Sequence, residues 1–260
     1  MVRFCANLSM LFAEVPFLER FGRARAAGFD AVEFQFPYEF KAGDIQAELE
    51  RHNLDLVLFN LPAGNFAAGD RGVANDPSRV EEFQETLAVA IEYARQLKPQ
   101  KMNCMAGKRL DDVADEVHRS TLIGNLRTAA DATLAENILL VTEPLNPHDA
   151  PGFFLPTPSD GFNIVAEAGH PNLKVEYDIY HAGRTEGNIV SAIARNIDAI
   201  GHIQLADVPG RHEPGTGTIE WREVFQAIDD AGYAGRIGLE YIPSTQNTEE
   251  SLGWMKEYAG

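Results

Sequence analysis

The sequence predicts an α/β fold, a (β/α)8 barrel that forms a single domain over residues 1–260, and three observations predict it. Apolar runs with the length of buried strands alternate with amphipathic helical patterns from one end of the chain to the other. A chain of 260 residues with 45% hydrophobic residues can fill one large core. Every predicted strand ends near a polar residue, as expected where parallel strands open onto the mouth of a barrel.

The predicted strands are short runs of large apolar residues bounded by loops. The clearest run begins at Ile138 and stops at Glu143, because Pro144 cannot continue a central strand. Glu143 is therefore expected at the C-terminal end of a strand that is buried on both faces. In order, the eight predicted strands cover residues 3–8, 31–34, 55–60, 101–105, 138–143, 173–178, 200–205 and 236–240.

Helices are predicted where apolar residues recur at three- and four-residue steps. The most regular pattern starts near Ser78, whose spacing to Glu81 is that of a capping box. The loop before it, residues 61–78, is rich in Gly, Ala, Asn and Asp, and loops of this length in a compact domain are often functional. The helical patterns lie at residues 16–28, 45–52, 78–97, 122–134, 164–168, 189–197, 221–228 and 249–258.

Composition and missing motifs argue against several other classes of protein. A doubly wound open sheet is the alternative fold, but no G-x-G-x-x-G follows the first strand and no P-loop is present. The net charge of −17 and the pI of 4.8 argue against a nucleic-acid partner. No apolar run reaches about 18 residues and no signal peptide is recognised, so we predict a cytoplasmic protein without a membrane partner. Cys5 and Cys104 lie in strand-like runs and are predicted to be buried free thiols.

Four polar strand ends in the second half of the chain have the chemistry of a metal site. Glu143, Asp178 and Glu240 would bring three carboxylates to one mouth, and Gln204 would add an amide oxygen. Three carboxylates packed together repel one another and disfavour full ionisation unless a cation joins them. An all-oxygen ligand set favours Mg²⁺, with Mn²⁺ as the alternative, over zinc. For any one of these residues alone, pairing with a Lys, an Arg or a backbone group is an equally good explanation.

Residues that follow the strands are predicted to contact a substrate. His181 lies three residues beyond the end of the sixth strand, and Arg211 offers a forked donor that suits a carboxylate. Asn60 at a strand end and Glu213 in the loop after the seventh strand complete the predicted substrate contacts. The apolar residues 153–155 between prolines leave three alternatives open: a lid, a subunit contact in a homo-oligomer, or packing on the barrel.

Seven motifs are spread over the chain: NLSMLF at 7–12, NLPAG at 60–64, EPLN at 143–146, PGFF at 151–154, YDIYH at 177–181, ADVPGRHEPGTG at 206–217 and GLEY at 238–241. Together they resemble the hydroxypyruvate isomerase family over essentially the whole chain. This family belongs to the xylose isomerase-like TIM barrels, together with 2-oxo-tetronate isomerases, ketose 3-epimerases and abasic-site endonucleases.

The resemblance implies a metal held by Glu143, Asp178, Gln204 and Glu240, with the two glutamates also acting as the acid/base pair. Gln204 stands where the epimerases carry His, which matches the isomerase branch. Ile242 stands where the family is expected to carry Lys, so a contact from that lysine is not expected here. The 2-oxo-tetronate isomerases share the metal residues, whereas the EPLN and PGTG runs favour hydroxypyruvate.

The sequence therefore predicts an isomerase that interconverts hydroxypyruvate and 2-hydroxy-3-oxopropanoate, with a small hydroxy-oxo-acid as its partner. A proton would move between C3 and C2 through an enediol, with the help of a divalent metal. The first alternative is a 2-oxo-tetronate isomerase or a related ketose isomerase or epimerase. A sugar-binding barrel without turnover is disfavoured by the pair of glutamates. Phosphodiester cleavage at abasic DNA is disfavoured because the seven histidines are widely spread and no basic face is evident.

Overall fold

A computed structural model of the chain describes residues 2–245 and 247–258. Its centre is a barrel of parallel strands, and helices cover the outside between successive strands. The strands are β1 Arg3–Asn7, β2 Ala31–Glu33, β3 Asp55–Leu56, β4 Leu58–Asn60, β5 Lys101–Asn103, β6 Leu139–Thr142, β7 Leu173–Asp178, β8 Ile200–Leu205 and β9 Arg236–Leu239.

The strand order β3-β2-β1-β9-β8-β7-β6-β5-β4 begins and ends with two segments that are consecutive in the chain. The third predicted strand is therefore split at Val57, so that eight predicted strands become nine. The backbone of Val57 still donates to Val32 O at 2.8 Å and accepts from Lys101 N at 2.9 Å. The split arises because the first half pairs with β2 and the second half pairs with β5. The predicted single-domain barrel is confirmed.

Helices follow the strands in the predicted alternation. Short 3-10 turns at Phe66–Ala68, Ile197–Ala199 and Leu252–Trp254 accompany them. The α-helices are α1 Phe17–Ala26, α2 Ala42–His52, α3 Val80–Leu97, α4 Asp115–Ala135, α5 Pro158–Ala168, α6 Ile179–Gly183, α7 Ile189–Asn196, α8 Trp221–Asp230, α9 Thr248–Ser251 and α10 Met255–Tyr258.

Several helices start away from the predicted positions: α4 begins at Asp115 and α5 at Pro158, before the predicted patterns at 122–134 and 164–168. Two further differences concern Ser78 and Asp178. The capping box at Ser78 is wrong, because the Ser78 hydroxyl donates to Asp76 Oδ1 at 2.7 Å and α3 begins only at Val80. The short helix α6 was not predicted. It starts directly at the end of β7, where Asp178 Oδ1 accepts a hydrogen bond from Tyr180 N at 2.8 Å and caps the helix. This cap fixes the orientation of one of the predicted metal ligands.

The core resolves the alternatives for the apolar loop at residues 153–155. Phe153, Phe154 and Leu155 are buried within the chain, and Phe154 N donates to Gly107 O at 2.8 Å. The loop therefore packs on its own barrel. Cys5 and Cys104 are buried free thiols, as predicted. Within residues 2–245 and 247–258, every helix is too short or too polar to span a lipid bilayer.

Candidate active site

The four predicted metal ligands lie on four neighbouring strands at one end of the barrel. Glu143 follows β6 and Asp178 ends β7. Asp178 pairs in register with Gln204 of β8, and Gln204 pairs with Gly238 of β9, two residues before Glu240. All four side chains are buried. The parallel sheet therefore places three carboxyl groups and one amide side by side in a region with little water.

Two buried oxygens of this group have no hydrogen-bond partner within the described part of the chain: Asp178 Oδ2 and Gln204 Oε1. For Asp178, the helix cap occupies the other oxygen. For Gln204, the amide nitrogen donates to Glu33 Oε1 at 2.7 Å. An ionised carboxylate only accepts hydrogen bonds, so Glu33 fixes the amide with its oxygen turned away. Buried oxygens without donors are the groups that a cation would satisfy.

The electrostatics of the site point the same way. Burial, followed by the charges of Glu240 and Asp178, raises the pKa of Glu143 well above its usual value. Burial also raises the pKa of Asp178 to about 7, although the Arg211 guanidinium opposes this shift. The protein alone therefore disfavours full ionisation of these carboxyl groups, and a divalent cation would relieve the repulsion. The residues present fit a metal ion, since they supply buried oxygens and unbalanced negative charge.

His181 is close to this group but is held as a hydrogen-bond donor. Candidate ligand atoms of Glu143, Asp178 and His181 lie within 4.8 Å of one another, a spacing that suits a metal ion. However, the backbone N–H of Asn146 donates to His181 Nδ1 at 3.0 Å. Burial, followed by the Arg211 charge, lowers the pKa of His181 to about 3, so the ring is neutral and its proton is on Nε2. A protonated Nε2 cannot bind a metal, which favours the all-oxygen set.

The Nε2 atom of His181 lies 3.6 Å from Asp178 Oδ2 and 3.8 Å from Glu143 Oε1. It has no hydrogen-bond partner among the residues that the structure describes. The N–H group is thus free to donate to an oxygen of a bound molecule between these carboxylates.

Glu240 is fixed more firmly than Glu143. Its Oε1 accepts from Gln35 Nε2 at 2.8 Å and from Asn7 Nδ2 at 3.3 Å, and its Oε2 accepts from Arg211 Nη2 at 2.5 Å. The same nitrogen of Arg211 lies 3.7 Å from Asp178 Oδ2. One guanidinium therefore compensates part of the charge of two carboxylates. The position of Arg211 depends on the loop after β8, in which this residue lies.

A cavity of about 230 Å³ lies at the mouth of the barrel, and Asp178 and Gln204 are not among the residues that line it. Among the predicted site residues, those that line it are Asn60, Glu143, His181, Arg211 and Glu240. Glu213 does not line the cavity, because its carboxylate accepts from Ser244 N at 3.0 Å and from the Ser244 hydroxyl at 2.5 Å. The structure thus brings Glu213 to the base of the loop that carries Arg211, away from the cavity.

Sequence reasoning missed the residues that orient the predicted ones. Glu33, Gln35 and Asn146 hold Gln204, Glu240 and His181 respectively. One feature of the sequence pointed to Glu33, because it is a polar residue near the end of a predicted strand that is otherwise apolar. Arg71 also lines the cavity and lies in the long loop that the sequence had marked as functional.

Comparisons with known proteins agree with the fold. A family model described as "Xylose isomerase-like TIM barrel" matches residues 21–258. The chain is 45% identical to hydroxypyruvate isomerase of Escherichia coli K12 over 258 residues, which cover 99% of this chain and 100% of that protein. It is 44% identical to 2-oxo-tetronate isomerase of Cupriavidus necator over 260 residues, with 100% of both chains covered.

Among solved structures, the chain is similar to a crystal structure described as an AP endonuclease of family 2 from Brucella melitensis. The TM-score is 0.96 with 40% sequence identity, and 99% of each chain is covered. The structure of L-ribulose 3-epimerase has a TM-score of 0.73 at 24% identity and covers 100% of this chain and 87% of that chain, so this likeness concerns the fold alone.

Proposed function

The chain belongs to the hydroxypyruvate isomerase family of xylose isomerase-like TIM barrels, and we propose that it interconverts hydroxypyruvate and 2-hydroxy-3-oxopropanoate. One observation carries the proposal. Two buried glutamates, Glu143 and Glu240, line one small cavity at the ends of strands β6 and β9, beside oxygens of Asp178 and Gln204 that have no hydrogen-bond donor in the described part of the chain. An isomerisation of this kind needs a proton to leave one carbon and reach its neighbour, and two carboxylates across one cavity can serve both carbons.

In this proposal the two glutamates are held by different contacts. In the protein alone, burial raises the pKa of Glu143, whose carboxyl group accepts a hydrogen bond from Asn103 Nδ2 at 3.2 Å. Glu240 is held in place by Arg211, Gln35 and Asn7. One carboxylate would take the proton from C3 and the other would return a proton to C2 through an enediol, while a hydroxyl proton passes from the C3 oxygen to the C2 oxygen. A single carboxylate that shuttles the proton is the other scheme that fits the geometry.

A divalent metal would be held by Glu143, Asp178, Gln204 and Glu240, and we propose Mg²⁺, with Mn²⁺ as the alternative. Bound there, it would act as a Lewis acid toward the vicinal oxygens of the substrate, an effect worth several kcal/mol. The unpartnered Asp178 and Gln204 oxygens and the tautomer of His181 support an all-oxygen ligand set.

The predicted substrate contacts divide into direct and supporting roles. We propose that the Nε2–H of His181 donates to a substrate oxygen, and that Arg211 and Asn60 contact the substrate from the same cavity. Glu213 would act indirectly, because its bonds to Ser244 anchor the loop that carries Arg211. Ile242, at the position where a lysine is expected, is 52% exposed, and its backbone N–H donates to Arg211 O at 2.9 Å. Its link to this loop is therefore through the backbone.

A 2-oxo-tetronate isomerase is the second candidate, because relatives of the two kinds are equally similar, at 45% and 44% identity. A direct comparison of substrates separates them. Purified protein with Mg²⁺ or Mn²⁺ would be assayed with hydroxypyruvate and with 2-oxo-tetronates, and the metal content would be measured alongside. We expect the higher kcat/KM with hydroxypyruvate. A higher kcat/KM with a 2-oxo-tetronate would favour the second candidate, and metal binding without turnover of either would favour a sugar-binding barrel.

A further inference from the structure

The cavity contains a second guanidinium group, that of Arg71, in addition to Arg211. The substrates of the proposed reaction are acids, so a carboxylate must enter a cavity that also exposes Glu143, Glu240 and Asp149. Like charges repel strongly when they are close together in a buried site. The charge of the proposed divalent metal would be offset by the three carboxylates that hold it, so binding of the acid needs a further cation whose charge is still available.

The charge of Arg211 is already shared between two carboxylates. Its Nη2 atom lies 2.5 Å from Glu240 Oε2 and 3.7 Å from Asp178 Oδ2. If Arg211 turned to a substrate carboxylate, Glu240 would lose its ion pair in a buried site, which is costly. Arg211 is thus better suited to hold Glu240 and to contact neutral oxygens of the substrate.

The guanidinium of Arg71 has different contacts from that of Arg211. Its guanidinium lies over the ring of Phe66, with 3.8 Å from Cζ to the ring centroid. Nη1 donates to the backbone oxygens of Asp70 at 2.7 Å and Phe66 at 3.3 Å. Neither Nε nor Nη2 has a partner within the part of the chain that the structure describes, and no carboxylate there forms an ion pair with Arg71. The group keeps its full charge and two donors of the planar fork that matches a carboxylate.

The loop that carries Arg71 is built to hold this position. Asp70 Oδ2 accepts from Asn65 N at 2.8 Å and from Arg79 Nη2 at 2.9 Å. Gly72 has a positive φ of 100°, and a Cβ at this position would lie 2.2 Å from Met105 O. The loop is therefore pressed against the chain that leaves β5, where only glycine fits. Stacking on Phe66 adds a planar support that limits rotation of the guanidinium.

We propose that Arg71 binds the carboxylate of the substrate and so makes the site specific for hydroxy-oxo-acids over uncharged hydroxy-ketones. This inference rests on the proposed function, because it assigns one end of that substrate. The carboxylate lies on the Arg71 side of the cavity, and the reacting carbons lie toward Glu143 and Glu240. Phe66 is a positioning residue that holds the guanidinium plane.

The test compares R71M with the parent and with R109M. Arg109 is the control, because its guanidinium also lies over a phenylalanine, 5.0 Å from the ring centroid of Phe154, and it does not line the cavity. Unlike Arg71, it pairs with a carboxylate, that of Asp115. R109M removes the same charge from the protein, and so reports any long-range electrostatic effect. Each protein would be titrated with D-glycerate, a non-reacting hydroxy acid, by calorimetry, and assayed with hydroxypyruvate and with uncharged dihydroxyacetone.

We expect R71M to weaken D-glycerate binding and to lower kcat/KM for hydroxypyruvate by about 10- to 150-fold, the range for hydrogen bonds to a charged group. Turnover of dihydroxyacetone should change by no more than a few-fold, and R109M should behave like the parent. R71K keeps the charge without the fork, and should recover part of the lost affinity but not all of it. R71K also provides the charge comparison if R71M destabilises the loop, which thermal melts would reveal.

The outcomes separate the two proposals. If the parent does not turn over hydroxypyruvate but R71M alone loses D-glycerate binding, the proposed function fails and the carboxylate site stands. If R71M binds D-glycerate as the parent does, or if R109M loses as much affinity as R71M, the carboxylate site is overturned. A parent that does not bind D-glycerate at all overturns it as well.

Discussion

At the scale of single residues, the same carboxylate chemistry occurs in two environments. Glu143 accepts one side-chain hydrogen bond, from Asn103 Nδ2 at 3.2 Å, and burial dominates its pKa. Glu240 accepts from three side chains, one of them a guanidinium. Two carboxyl groups that differ in this way can take different roles in proton transfer. The roles can be separated by substitution, because glutamine keeps the size and an oxygen but cannot act as a base.

We therefore predict that Glu143→Gln and Glu240→Gln each lower kcat by at least about 10²-fold, the lower end of general-base effects. The measurement is kcat for hydroxypyruvate at saturating metal, with thermal melts to show that both variants remain folded. The Glu143 variant should keep its fold, because a neutral amide relieves repulsion among the carboxylates. Glu240→Gln also removes the buried ion pair with Arg211, so we expect a lower melting temperature for that variant. Activity within a few-fold of the parent in both variants would contradict the assignment. Loss in only one variant would support the single-carboxylate shuttle.

Glu176 gives a prediction about stability and pH. Both of its oxygens are buried, and neither has a hydrogen-bond partner among the described residues. Burial, followed by the charges of Glu143 and Glu33, raises the pKa of Glu176 well above its usual value of 4.5. The folded protein holds a proton that the unfolded chain releases near pH 4.5, so this group lowers stability progressively as pH rises above that value.

Glu176→Gln removes that dependence. In metal-free protein, we expect the unfolding free energy of the variant minus that of the parent to grow by about 1.4 kcal/mol per pH unit above the unfolded-state pKa. The growth should stop once the pH passes the folded-state pKa. Urea unfolding measures this difference at pH values about one unit apart, from about pH 4 to about pH 8. A difference that does not change with pH would contradict the raised pKa.

At the scale of elements, strand β9 has a glycine, and so no side chain, where it passes Glu33. Gly238 lies in this strand, and a Cβ there would lie 2.2 Å from Glu33 Oε1. The missing side chain lets Glu33 cross from β2 and accept from Gln204 of β8 and from His202 Nε2 at 2.7 Å. A glycine in one strand thus sets the orientation of a residue in another.

Gly238→Ala should lower the unfolding free energy by about 1–3 kcal/mol, the usual cost of overpacking a core. Gly124→Ala is the control, because Gly124 lies inside helix α4 and a Cβ there meets nothing within 4 Å. That control should raise stability by about 0.5–1 kcal/mol through helix propensity. Urea unfolding of both variants measures whether the unfolding free energy falls for Gly238→Ala and rises for Gly124→Ala. Equal effects in the two variants would mean that the Glu33 contact does not restrict β9.

At the scale of the whole molecule, the charge decides which large partners can approach. The net charge is −17, and three of the acidic residues that contribute to it, Glu143, Asp149 and Glu240, line the cavity. Duplex nucleic acid binds proteins mainly through cations that neutralise phosphates. The solved relative from Brucella melitensis that is described as an AP endonuclease makes DNA the macromolecule to test.

We predict no measurable binding to a duplex that contains an abasic site at physiological salt. Fluorescence anisotropy with a labelled duplex, repeated at low and high salt, measures it. The unmodified duplex and the Brucella melitensis relative serve as comparisons. Submicromolar binding that weakens as salt increases would show a local basic surface that the net charge conceals.

The sequence determined the barrel and the identity of the residues at its mouth. Alternating apolar runs and helical patterns are local signals, and in a parallel barrel all strands end at the same face. Glu143, Asp178, Gln204 and Glu240 could be named without coordinates for this reason. The split at Val57 was not predictable, because one continuous apolar run serves two different neighbours.

Only the tertiary structure decided how these residues are held. The tautomer of His181 depends on Asn146, 35 positions away, and the orientation of Gln204 depends on Glu33, 171 positions away. Likewise, Arg211 is paired with Glu240, whereas two donor nitrogens of Arg71 have no partner among the described residues. Burial, charge compensation and the direction of a hydrogen bond are properties of pairs of distant groups. A local sequence pattern specifies which side chains are present, and the packing of the barrel specifies which of their atoms remain available.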